Sequence, residues 1–133
     1  MRQHLESGVR CALGTDVGGG TGFGVLKEAL QAYLMQRTIS DGITLDGTQL
    51  LYLATLAGAE AVGLESEIGD FSVGKSADLI YVKPPAKSVF ESVVTYAESP
   101  ERVLDAIFTL AGQESIQQVW VGGTSLLPCH GRQ

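Results

Sequence analysis

Leu13-Gly14-Thr15-Asp16-Val17-Gly18-Gly19-Gly20 is the stretch on which the reading of this chain turns. Just upstream, Val9, Cys11 and Leu13 alternate with Arg10 and Ala12, which predicts a short β-strand over Val9 to Gly14. The three consecutive glycines that follow permit backbone conformations that a Cβ would forbid. Asp16 is therefore expected at the C-terminal tip of a strand, and in α/β architectures ligands gather at that end. An Asp beside glycines equally suits a turn or a helix cap, where its carboxylate only accepts backbone hydrogen bonds. The local pattern leaves both readings open.

Working outward, Gln3 to Ser7 reads as the last turn of a helix ended by Gly8. Phe23 to about Ser40 predicts a longer helix, with Leu26, Leu30, Tyr33, Leu34 and Arg37 along one stripe. Asp41-Gly42 breaks it, and Thr44 is the expected N-cap of a helix carrying Leu50, Leu51, Leu53, Ala54 and Ala57. Gly58 is expected to set off a further short turn ending near Gly63. From Ile68 to Lys75 the pattern is one of short extended pieces and a tight turn, and Ala77 to Val82 predicts a buried strand stopped by Pro84-Pro85. Val89 to Ala97 stays ambiguous. Pro100 marks the start of a helix through Ala111 with Val103, Ile107 and Leu110 on one face, and Gln118–Val121 and Thr124–Leu127 flank Gly122-Gly123 as a hairpin.

Composition removes several function classes. With 133 residues, 44% of them apolar and 18% charged, the chain can bury a core as a single globular unit. No apolar run approaches the ~18 residues of a membrane span, and the Met-Arg-Gln-His start lacks the apolar centre of a signal peptide. A soluble, cytoplasmic protein with no membrane partner is the expectation. The net charge of -6 and the scattered Lys and Arg argue against nucleic acid. Cys11 and Cys129 lie too far apart for a metal knuckle and are expected as free thiols. His4 and His130, the only histidines, sit at opposite extremities and are expected in solvent. HExxH and the His-x-Glu with Pro-Cys-x-x-Cys of one zinc deaminase class are both missing. The glycine loop lacks a P-loop lysine and the third glycine of a dinucleotide fingerprint. Asp70, in a turn, and Asp78, where a strand begins, are expected to be solvated or to make backbone hydrogen bonds, and Trp120 is expected to belong to the core.

Three motifs in order carry a resemblance: Leu13-Gly14-Thr15-Asp16, then Leu53-Ala54-Thr55-Leu56-Ala57-Gly58-Ala59-Glu60-Ala61-Val62-Gly63-Leu64, then Ile68-Gly69-x-Phe71-x-Val73-Gly74-Lys75-x-Ala77-Asp78-Leu79. Together they resemble the C-terminal third of the amidohydrolase-superfamily deaminases. Asp16-Val17-Gly18-Gly19-Gly20, the Ala32-Tyr33 helix and the closing Glu114 to Gly123 are similar to the guanine deaminase branch. The resemblance implies an α/β fold: the C-terminal part of a metal-dependent (β/α)8 barrel plus strands of its small β-sandwich domain. Residues 1–66 would be the last barrel strand and its following helices, and 67–133 the strands of the small β domain with an intervening helix and the terminal hairpin. It also implies that Asp16 is catalytic and a metal neighbour or ligand in the complete enzyme, moving a proton from zinc-bound water to the purine and the departing ammonia as guanine becomes xanthine. Substrate-binding residues are not assigned.

A whole (β/α)8 barrel typically needs ~250 residues, and in the family the metal-binding histidines and catalytic glutamate lie on strands that would precede residue 1. The chain is accordingly expected to be a fragment that holds no zinc, is inactive alone and forms a homo-oligomer. Two alternatives remain open: a free-standing, self-associating module derived from a deaminase, or a fragment of a relative acting on a different cyclic amidine or amide.

Overall fold

Three of the six α-helices among the described residues begin where a side chain satisfies a first free backbone N–H group. In the computed structural model, which describes residues 1–20 and 22–126, α1 spans Arg2–Glu6, α2 Val25–Thr38, α3 Gly47–Ala54, α4 Leu56–Val62, α5 Val89–Thr95 and α6 Pro100–Leu110. Asp46 caps α3 by accepting from the Gln49 N–H at 2.8 Å, while the Gln49 side chain accepts from the Asp46 N–H at 3.0 Å. Ser88 and Ser99 cap α5 and α6, and Pro100 occupies the first helical position, where its missing N–H costs nothing. Gly63, at φ 74°, closes α4 in the left-handed conformation.

Ala29 of α2, Leu45, Leu50 and Leu53 of the α3 region, Ala57 of α4 and Phe108 of α6 form the buried core. Each buried leucine or phenylalanine contributes about 1.5–3 kcal/mol relative to exposure. The contact between α3 and α6 is close enough to require a glycine. A Cβ on Gly47 would stand 2.8 Å from the Asp105 nitrogen and from Leu104 Cβ, and the Gly47 N–H donates to Asp105 Oδ1 at 2.9 Å.

The remaining layer is an antiparallel sheet in the order β1 (Leu79–Val82), β2 (Ile116–Val121), β3 (Thr124–Ser125). Leu79 faces Trp120 and Ile80 faces Val119, with a slip in register between Tyr81 and Val82. The β2–β3 turn is the expected Gly122-Gly123 pair, at φ 56° and 76°, which suits a two-residue turn of this hand. Among the described residues no helix is long and apolar enough to cross a membrane.

Several expectations need correction. Val9 to Gly14 forms no strand among the described residues, because a strand needs a neighbour to complete its ladder. The α3 cap is Asp46 rather than Thr44, since only Asp46 has a glutamine three residues on to return the bond. The break between α3 and α4 falls at Thr55 (φ -133°, ψ -93°), so Gly58 lies inside α4. Leu34 is exposed and Ala29 takes its place in the buried face of α2. On α6 Ala106 and Phe108 are buried and Leu110 is not. Ile80 and Tyr81 are about half exposed, so β1 is not the buried strand its sequence predicts. The ambiguous Val89–Ala97 segment holds α5. Leu127, Cys129 and His130 lie outside the described residues.

Candidate functional site

Asp16 sits at the end of the irregular segment that precedes the glycines. The segment is fastened to the helical layer by the Leu13 N–H, which donates to the Leu53 carbonyl at 2.9 Å. At Asp16 the chain turns back on itself: its carbonyl accepts from the N–H groups of Gly19 at 2.8 Å and Gly20 at 2.6 Å. Asp16 has φ 44°, a left-handed conformation uncommon for a residue with a side chain, and Gly18 follows at φ 101°. Such a conformation costs about 1–3 kcal/mol and persists only where its surroundings impose it. Gly20 lets the turn close, because a Cβ at that position would lie 2.0 Å from the Thr15 carbonyl oxygen. The Asp16 carboxylate projects into solvent. The turn is made by the Asp16 backbone carbonyl, and the residue is exposed.

Among the described residues no three His, Cys, Asp or Glu side chains gather closely enough to hold a metal ion. His4 lies exposed on α1. A tetrahedral zinc takes three or four protein ligands, and the described residues bring together no such donor set, so they do not fit a resident zinc of their own.

The other two acids behave as their sequence context predicts. Asp70 Oδ2 lies 2.8 Å from Lys75 Nζ and its Oδ1 accepts from the Ser72 N–H at 2.8 Å. The lysine first, then the backbone donor, hold this carboxyl down to about 2. Asp78 Oδ1 accepts from the Gly122 N–H at 2.6 Å and from the Ser76 hydroxyl at 2.9 Å, which together keep it below the usual carboxylate range. Asp78 thereby fixes the hairpin turn 44 residues away.

A network not foreseen from sequence supports the Asp16 segment from below. The Arg10 guanidinium donates to the Glu60 carbonyl, and the Tyr52 hydroxyl donates to the Glu60 carboxylate at 2.6 Å. That hydrogen bond raises the Tyr52 phenol above its ordinary value. Tyr52 and Glu60 lie on different helices, separated by the Thr55 break, so no helical spacing relates them. Between the helices and the sheet runs an apolar groove of about 820 Å³, lined by Phe23, Leu26, Leu51, Leu79, Phe108 and Trp120 among others. Trp120 is half-buried there rather than enclosed in the core.

Residues 1–126 match the model of the Amidohydrolase family. A probable guanine deaminase of Deinococcus radiodurans is 52% identical over 124 residues, covering 92% of this chain and 28% of that protein. The solved guanine deaminase of E. coli has a TM-score of 0.87 at 31% identity, over 95% of this chain and 29% of its own. An adenosine deaminase from Xanthomonas campestris, solved with bound zinc, has a TM-score of 0.73 at 28% identity, over 94% of this chain and 27% of its own. The chain therefore spans less than a third of the length of these relatives.

Proposed function

This chain belongs to the amidohydrolase family, and on that premise we propose that it is the C-terminal portion of a guanine deaminase, contributing Asp16 to a site whose other groups lie outside it. The observation that carries this reading is the 52% identity to the Deinococcus radiodurans protein over 92% of the chain. The exposed position of Asp16, in a turn held by its own carbonyl, supports its role. The reaction is guanine plus water to xanthine plus ammonia. A bond forms between the water oxygen and C2, and the bond from C2 to the exocyclic nitrogen breaks. Asp16 accepts a proton from the water and returns it to the departing amine, a task worth typically 10²–10⁴ in rate.

Residues 1–66 then stand as the last barrel strand with its helices, and 67–133 as part of the small β domain. The unpaired state of Val9–Gly14 among the described residues supports this, since such a strand would find its neighbours elsewhere in a barrel. Zinc and guanine are ligands of the complete site and not of this chain alone, which we expect in the cytoplasm and inactive by itself. A second reading, self-association into a homo-oligomer, is favoured by the large apolar side chains left in solvent, with Phe23 79%, Phe71 85% and Tyr96 84% exposed.

Purified chain is to be assayed for conversion of guanine to xanthine with added zinc while its mass in solution is recorded. No turnover above a zinc-only control is expected. Turnover by a defined oligomer would mean that copies of this chain complete the site among themselves.

A further inference from the structure

The glycines after Asp16 are not equivalent. Gly18 adopts φ 101°, a conformation that side chains resist, and Gly20 has its Cβ direction blocked by backbone. Gly19 has neither constraint. Its φ lies outside the left-handed region, and the three atoms nearest to a Cβ built there all belong to one side chain: Asp16 Oδ2 at 2.7 Å, Cγ at 3.3 Å and Oδ1 at 3.6 Å. A methyl group at position 19 would therefore leave the turn intact and strike the carboxylate. We propose that Gly19 is a positioning residue, whose missing Cβ is the space in which the Asp16 carboxylate rests.

Rotation about χ2, which is broad for an aspartate, relieves the Oδ2 contact but leaves Cγ 3.3 Å from the methyl position, and because χ1 is confined to staggered wells the side chain is expected to leave that crowding for another χ1 well. A displacement of about 1 Å is enough to cost on the order of 10² in rate where a group must meet its substrate in one geometry. The catalytic meaning of the inference rests on the reading of Asp16 as proton carrier. Its effect on the side chain does not, and the test is chosen on that side.

The three-bond couplings about Asp16 χ1, from its backbone nitrogen and carbonyl carbon to Cγ, are measured by NMR in the 133-residue chain and in Gly19→Ala. Gly58→Ala serves as control, since a Cβ at Gly58 meets nothing within 4 Å. The expected result is one dominant Asp16 rotamer in the parent and in Gly58→Ala, a different rotamer in Gly19→Ala, and an unchanged melting temperature for Gly19→Ala. Couplings that are averaged in the parent, or identical in Gly19→Ala, would overturn the proposal. So would a melting temperature that falls in Gly19→Ala, because Gly19 would then serve the turn itself. None of these results depends on deamination, so the guanine assay fails or succeeds separately.

Discussion

The helical layer and the sheet layer of this molecule differ in how far each is finished. In the helical layer, Leu50, Leu53 and Phe108 are buried and Asp46 reciprocates its capping bond with Gln49. In the sheet layer, Ile80 is 47% and Val121 51% exposed, and two of the three strands are edges. The difference follows from where each element finds its hydrogen bonds. A helix closes its backbone bonds within itself, whereas a strand depends on neighbours that sequence-local residues cannot supply. Val9–Gly14 is the extreme instance, β-prone by sequence and yet unpaired among the described residues.

The sharpest way to break the comparison is truncation on each side of it. Phe108→Ala is expected to cost about 3–5 kcal/mol by chemical denaturation, because it opens a cavity among packed helices. Ile80→Ala, from a half-exposed position, is expected to cost about 1 kcal/mol, under half of the usual large-to-small penalty. Equal losses would mean that the sheet carries as much of the stability as the helices.

A smaller effect tests the α3–α6 contact. Gly47→Ala forces a methyl group against the backbone of Asp105 and against Leu104, and overpacking of this kind costs about 1–3 kcal/mol. A thermal midpoint equal to that of the parent would show that the two helices part without penalty.

The smallest effect is electrostatic and belongs to the loops that lead into the sheet. The Asp70 carboxyl is held at about 2 in the folded chain, below the ordinary value near 3.9. Its contribution to stability is therefore complete above that ordinary value and is lost as pH falls toward about 2. Asp78 is depressed in the same direction and follows the same sign. Protection of the Ser72 and Gly122 amides, the two backbone donors, measured against their intrinsic exchange rates, should fall over that acid window, and Asp70→Asn should remove the dependence at Ser72. Protection that persists unchanged through the window would contradict the role given to these carboxylates.

What could be read from sequence divides along the same line. α2, α6 and the Gly122-Gly123 hairpin were evident because spacing, Pro100 and paired glycines are local signals. The cap of α3 falls two residues beyond Thr44, a cap-forming residue type too, and only the Gln49 partner separates Asp46 from it. The structural roles of Asp70 and Asp78 were readable in outline, from their turn and strand-start positions. The bond from Asp78 to Gly122 was not, because no local pattern relates residues 44 apart. At the candidate site, Asp16 and its glycines stood out, while the Arg10, Tyr52 and Glu60 network required three-dimensional proximity to be seen.

The most direct measurement replaces the matching segment of the Deinococcus radiodurans relative with this chain, which shares 52% identity with it, and follows guanine conversion with and without Asp16→Ala. The account predicts that the chimera deaminates guanine and that Asp16→Ala lowers kcat by at least about 10² while the protein remains folded. A folded chimera in which Asp16→Ala works as fast as its parent would contradict it.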